Sequence, residues 1–194
     1  MRLAITGAYG SGKTTLARAV AERFGLRDEP LPAMQDPFGL RRAATRCSPA
    51  QLLELTVRRL IERSGREQGD GWVSDGSLLH DWVFTKTLLL HGTDPASMPG
   101  PTIAGRGIVD GLLEPTRRAV RSALTGRYDV VVHLPIEFPM TEAEPPVSEA
   151  FRHRSEQYLA EEFTLAGIEP LILSGPVRAR LDQLDTILAL RAAA

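Results

Sequence analysis

Gly7-Ala8-Tyr9-Gly10-Ser11-Gly12-Lys13-Thr14 fills the pattern G-x-x-x-x-G-K-[ST], directly behind the apolar run Leu3-Ala4-Ile5-Thr6. Glycines in such a loop let the backbone curl until consecutive N–H groups point inward and form a nest for an anion. A helix starting at the end of the loop adds its positive N-terminal end. That helix is legible here: Leu16, Val20 and Phe24 recur at i, i+4 and i+8, and Gly25 stops it. A strand before and an amphipathic helix after separate a phosphate-binding loop from an ordinary glycine turn. Gly7, Ala8, Tyr9, Gly10, Ser11, Gly12 and Thr15 are therefore expected around the phosphates of a nucleoside triphosphate. Lys13 supplies a point charge for the β- and γ-phosphates, and the Thr14 hydroxyl is a ligand for the accompanying magnesium.

Strand-like and helix-like segments alternate along the rest of the chain. Ser48-Pro49-Ala50-Gln51 is a capping box with proline at the first helical position, opening a helix with the stripe Leu53, Val57, Leu60 and Ile61. Gly71-Trp72-Val73-Ser74-Asp75-Gly76 reads as a short strand ending on a carboxylate, followed by a helix from Leu78 to about Gly92. Thr93 to Gly107, rich in Gly and Pro, reads as a loop, and a helix around Leu112 to Leu124 leads to the strand Asp129 to Leu134. Pro135 to Val147 carries four prolines and three glutamates and reads as a flap. Ser148 caps a helix to about Gly167, and the strand Pro170 to Leu173 turns at Ser174-Gly175-Pro176 into a helix with Val177, Leu181, Leu184 and Leu188 on one face. This alternation predicts an α/β fold, one domain in 194 residues, with a parallel sheet covered by helices on both faces. In such sheets ligands sit at the carboxyl ends of the strands, where Gly7 and Asp75 both fall.

Composition excludes several classes. No apolar run approaches the roughly 20 residues of a membrane helix. The N-terminus runs straight into the phosphate loop, so a cleavable leader would remove the site, and a cytoplasmic protein is expected. A lone cysteine, Cys47, offers neither an internal disulfide nor a thiolate cluster, and His80, His91, His133 and His153 have no ligand spacing. The net charge of −1 and arginines without interleaved aromatics argue against nucleic acid and anionic membrane as partners. Only Lys13 and Lys86 are lysines, every other cation being arginine, which makes the lysine of the loop more telling.

Asp75 can hold magnesium through water or take a proton from an acceptor hydroxyl, against the alternative of a turn or N-cap aspartate before Gly76-Ser77. Asp81 is expected as surface charge or as support for the site. Arg152 and Arg154, behind the flap, can close over a triphosphate and stabilise charge in transfer, but residues two apart point about 200° apart on a helix. The competing expectation is a solvated face with Arg152 paired to Glu156. Arg106 is a further candidate, and Asp36, Arg41 and Arg42 could orient a polar acceptor.

Thr6 to Leu16, Val73 to Asp81, Tyr128 to Pro135, the Phe151 to Phe163 helix and Leu171 to Gly175 together resemble the small P-loop kinases. Within these the chain is similar to the compact AAA-type ATPase-domain family related to ribosylnicotinamide kinases. The resemblance implies five parallel strands with the loop on the central one, and transfer of the ATP γ-phosphate to a small acceptor. It departs at Gly76, where related kinases often carry arginine after the acidic residue. The expected function is thus a magnesium- and ATP-dependent phosphotransferase acting on a small, nucleoside-like molecule, with a homodimer as an allowed assembly. The alternative is a regulatory nucleotide switch. A guanine-reading Asn-Lys-x-Asp motif is excluded because the chain has no asparagine, and a motor-type ATPase would need more chain.

Overall fold

The computed structural model describes residues 1–31, 44–97 and 103–193. Asp36, Arg41 and Arg42 lie outside the described residues. Five parallel strands, β1 (Arg2–Gly7), β2 (Arg27–Glu29), β3 (Trp72–Asp75), β4 (Val130–Leu134) and β5 (Leu171–Ile172), form one sheet in the order β2-β3-β1-β4-β5. The helices are α1 (Lys13–Phe24), α2 (Pro49–Arg66), α3 (Leu78–His91), α4 (Ile103–Ile108), α5 (Glu114–Arg127), α6 (Glu149–Ala166) and α7 (Val177–Ala193). β1 is central, so the phosphate loop leaves the middle of the sheet.

Side-chain alternation along the strands sorts the core into two layers. Leu3, Ile5 and Val73 pack with Leu16 and Val20 of α1 and Leu184 of α7. Ala4 and Trp72 face the other way, toward Leu52 of α2, Leu79 and Trp82 of α3, Val120 of α5 and Phe151 of α6. Both faces are covered, which explains why β1 reads as an unbroken apolar run.

Two segments depart from the sequence expectation. Arg27–Glu29 is an edge strand paired to β3, and three charged residues hid it from any apolar pattern. The stretch expected as loop up to Gly107 is helical from Ile103, despite two glycines that cost about 1 kcal/mol each. A π-helical turn, Val109–Leu113, joins α4 to α5 just before Pro115, where the regular hydrogen-bond ladder cannot continue. The capping signals hold: Ser48 and Gln51 form the reciprocal box, and Ser148 accepts from the Phe151 N–H. No described helix is long and apolar enough to cross a membrane.

A buried polar network fastens α2 to α3 and β3. Asp81 is fully buried, correcting its expectation as surface charge, and it accepts from Arg59 at 3.0 Å and Arg63 at 3.0 Å. Arg63 also meets Glu67 and donates to the Asp75 carbonyl at 3.3 Å; Glu67 accepts from Ser74 at 2.6 Å and from the Tyr128 hydroxyl at 2.9 Å. Burial alone would raise the Asp81 pKa, but Arg63 and Arg59 outweigh it and hold the carboxyl far below the usual carboxylate range. Replacing Asp81 with Ala removes the carboxylate that Arg59 and Arg63 share and leaves Arg63 with Glu67, and breaking such a buried pair costs about 3–5 kcal/mol. Urea unfolding of Asp81→Ala at pH 7 should show that loss. A change under about 1 kcal/mol would mean that the arginines find water instead.

Candidate active site

The loop between β1 and α1 is built by backbone conformations that side chains resist. Gly7 (φ 150°) has no room for a Cβ, which would fall 2.6 Å from the Leu134 carbonyl oxygen. Gly12 (φ 90°) is the left-handed N-cap of α1. Lys13 folds back across the loop, its Nζ donating to the Ala8 carbonyl at 2.7 Å. Burial pulls its pKa down to about 8, against the opposing pull of Asp75 and Asp81. Ala8 and Ser11 are buried, and the Thr14 and Thr15 side chains stand exposed at the first turn of α1.

β3 lies beside β1 with Ile5 opposite Asp75, and this register carries the carboxylate to the loop. The Thr14 hydroxyl donates to Asp75 Oδ2 at 2.6 Å. Asp75 is not the helix cap: Ser77 takes that place on α3, accepting from the His80 N–H at 3.1 Å. A hydroxyl and a carboxylate in contact are the hard oxygen donors that suit magnesium, which keeps several waters and shares its other positions with phosphate oxygens. Among the described residues no three His, Cys, Asp or Glu side chains converge into a larger metal cage.

Gly76 stands where an arginine is expected from the resemblance, and there a side chain would be crowded and the backbone, at φ 96°, strained. A Cβ there would lie 3.0 Å from Arg63 Nη2 and 3.3 Å from His80 Nδ1. An arginine from α2 thus fills the volume beside the strand end, holding the Asp75 carbonyl. His80 is kept neutral, its pKa pulled down to about 4 by burial and then by Lys13, against Asp81. His133, on β4, lies 3.6 Å from Glu156, and burial lowers its pKa despite that carboxylate.

The flap and its arginines resolve differently from one another. Arg152 is fully buried, and its Nε donates to the Tyr9 carbonyl of the phosphate loop at 2.7 Å. Its other nitrogens donate to Glu149 at 2.7 Å and to the Phe138 carbonyl at 3.0 Å. The competing pairing with Glu156 does not form, because all three guanidinium nitrogens of Arg152 turn to the loop, Glu149 and Phe138, while Glu156 accepts from the Ile136 N–H at 3.0 Å. Arg154 is exposed, with its charge bearing on His91 and Tyr158 rather than on the loop. The helix geometry separates the two arginines, and Arg154 does not join Lys13, Thr14 and Asp75. Arg106 is likewise exposed, on α4.

Arg180, on α7, escaped the sequence reading. It is buried, donates to the Ser11 carbonyl at 3.0 Å, and pairs with Glu137 of the flap at 2.7 Å. Its signal was an interruption: position 180 falls on the same stripe as Val177 and Leu184, where an arginine must find partners. The flap is also tied to the loop through Tyr9, whose hydroxyl donates to Glu142 at 2.8 Å. Burial, then Glu142, pushes the Tyr9 pKa up to about 12.

This architecture has solved counterparts. Deoxyadenosine kinase from M. mycoides with bound dATP superposes with a TM-score of 0.68 at 14% identity, over 97% of this chain and 99% of that one. The YorR protein of Bacillus subtilis, in complex with phosphorylated GDP, gives 0.56 at 11% identity over 100% and 99%. A NadR protein in complex with NAD and AMP-PNP gives 0.57 at 16% identity, over 94% of this chain but 47% of that one. At these identities the likeness is one of fold, that of P-loop kinases. No curated protein sequence matches the chain. The model of an AAA domain matches residues 2–180, nearly the whole length, and the chain, with its phosphate loop on the central strand of five, belongs to that AAA-domain family.

Proposed function

We propose that the protein is a phosphotransferase that moves the γ-phosphate of magnesium-ATP to a hydroxyl of a small, nucleoside-like acceptor. The observation that carries the reading is the convergence of Lys13, Thr14 and Asp75 at the end of the central strand pair, with Thr14 2.6 Å from Asp75. The backbone N–H groups from Gly10 to Thr15 cradle the α- and β-phosphates, and Lys13 neutralises the β- and γ-oxygens. The Thr14 hydroxyl and Asp75, directly or through water, would hold magnesium, which would supply charge stabilisation for the transfer. Asp75 would also accept the proton of the acceptor hydroxyl. The nucleoside-like acceptor draws support from the M. mycoides neighbour, a deoxyadenosine kinase matched over 99% of its length.

A second reading draws on the flap. Tyr9 joins the phosphate loop to Glu142, so nucleotide occupancy could be passed to the flap surface, as in a nucleotide-dependent switch. The two part on acceptor dependence. A panel of nucleosides, sugars and amino alcohols should contain one compound that raises ADP release about tenfold or more and emerges phosphorylated by mass spectrometry. Slow hydrolysis unchanged across the panel would favour the switch.

Lys13→Ala should lower turnover by about 10²–10³-fold while nucleotide affinity drops several-fold, because charge builds in the transition state. Asp75→Asn should cost roughly 10²-fold in turnover with the melting temperature retained. Normal rates with a lowered melting temperature would reduce Asp75 to a structural residue.

The Lys13 pKa sets a pH dependence. In the free protein burial lowers it to about 8, and phosphates beside the ammonium raise it again. Binding therefore takes up a proton above pH 8. ATP affinity measured by calorimetry should be flat below that pH and fall above it, by up to about tenfold per unit. Flat affinity to pH 9.5 would remove Lys13 from the phosphates.

A further inference from the structure

A loop that turns its N–H groups inward turns its carbonyls outward, and each outward carbonyl needs a partner. Around this loop the Ala8 carbonyl accepts from Ser11 N–H and Lys13, and the Gly12 carbonyl accepts from Leu16 N–H in the first turn of α1. The Tyr9 and Ser11 carbonyls are taken by buried arginines that come from two different helices, Arg152 of α6 at 2.7 Å and Arg180 of α7 at 3.0 Å. Peptide planarity gives these contacts a direction. The C=O of Tyr9 and the N–H of Gly10 belong to one rigid unit and point opposite ways, as do the C=O of Ser11 and the N–H of Gly12. A cation on the carbonyl end fixes the unit's rotation and polarises its N–H, strengthening it as a donor. The arginines also occupy the outer side of both glycines. A Cβ on Gly12 would lie 3.2 Å from Arg180 Nη1, and one on Gly10 3.9 Å from Arg152 Nη2.

We infer that Arg152 and Arg180 are positioning residues of the nucleotide site, each gripping the carbonyl end of one phosphate-loop peptide and so aiming the N–H of Gly10 or Gly12 at the diphosphate part of the nucleotide. The inference rests on the nucleotide site of the proposed function but not on any acceptor. It replaces the expectation that a flap arginine touches the transferring phosphate. Glu149 and Glu137 hold the guanidiniums through nitrogens other than those on the loop carbonyls.

The two roles separate on which nucleotide is lost. Loop N–H groups cradle the α- and β-phosphates, present in ADP and ATP alike, whereas an arginine on the γ-phosphate serves only ATP. Calorimetry without acceptor on Arg152→Ala and Arg180→Ala should show magnesium-ADP and magnesium-ATP weakened together, each by about tenfold, the worth of one charge-assisted hydrogen bond. The ATP-to-ADP affinity ratio should stay within about twofold of the parent. Arg152→Lys and Arg180→Lys, which keep a charged donor and guard against unfolding of the alanine forms, should recover part of the loss. In the nucleotide-free protein, the ¹⁵N–¹H signals of Gly10 in the Arg152 variants and Gly12 in the Arg180 variants should move upfield, with Gly25 unmoved. Selective loss of ATP, unchanged affinity for both nucleotides, or unmoved Gly10 and Gly12 signals would overturn the inference. Equal loss of both nucleotides in a protein that phosphorylates no acceptor would uphold it while the kinase reading fails. A parent protein that binds neither nucleotide would overturn both.

Discussion

Because β1 and β3 run parallel with Ile5 beside Asp75, the carboxylate and the phosphate loop leave the sheet at the same height. Side chains alternate with a period of two, so a slip of one residue would turn Asp75 to the opposite face and break its contact with Thr14. Burial on both faces forbids that slip: it would drive Trp72 and Val73 into each other's layers. The chemistry at the strand ends is thereby secured by apolar packing lower in the sheet. The same holds between β1 and β4, where Gly7 lies beside Leu134 so closely that only glycine fits.

Beneath Asp75 the protein spends charge where apolar side chains would pack at lower cost. Arg63, Asp81, Glu67 and Tyr128 are all buried, and such groups stabilise little relative to well-packed hydrocarbon. Their effect here is directional. Arg63 binds the Asp75 carbonyl, fills the volume over Gly76, and is itself fixed by Asp81 and Glu67. The strand end that carries Asp75 is held by donors of fixed geometry rather than by contacts that could slide. A side chain at Gly76 would press on that guanidinium and strain the backbone at φ 96°.

The sequence exposed whatever depended on local pattern. The phosphate loop, the capping box at Ser48, the α6 cap at Ser148 and the central strands each carry their signal within a few residues. It hid what depended on distant partners. Arg27–Glu29 forms a strand because β3 offers an edge, which no polar tripeptide announces. Ile103–Ile108 is helical against its own glycines because tertiary packing overrides propensity. Asp81 looked like surface charge because Arg59 and Arg63 lie 22 and 18 residues away. Asp75 could have been a cap until Ser77 was seen to take that role. Arg152 and Arg154 were indistinguishable in sequence, and only the docking of α6 against the loop buried one and exposed the other. Arg180 is 169 residues from the carbonyl it holds.

The near-absence of lysine sharpens the division of labour between cations. Lys13 folds back across the loop to the Ala8 carbonyl, where the proposed function puts the β- and γ-phosphates. A compact ammonium on a flexible stem suits that place, and Lys13 provides it. Outside the nest the task is different: one side chain must join a loop carbonyl to a carboxylate and hold both still. Arg152 joins the Tyr9 and Phe138 carbonyls to Glu149, and Arg180 joins the Ser11 carbonyl to Glu137. The planar fork with its fixed donor directions does this with one rigid group, and it stays charged when buried. A lysine at 152 or 180 would satisfy one partner well and leave the other loosely held. The two kinds of cation are therefore not interchangeable here: the lysine folds across the loop onto the Ala8 carbonyl, and the arginines hold the Tyr9 and Ser11 carbonyls from other helices.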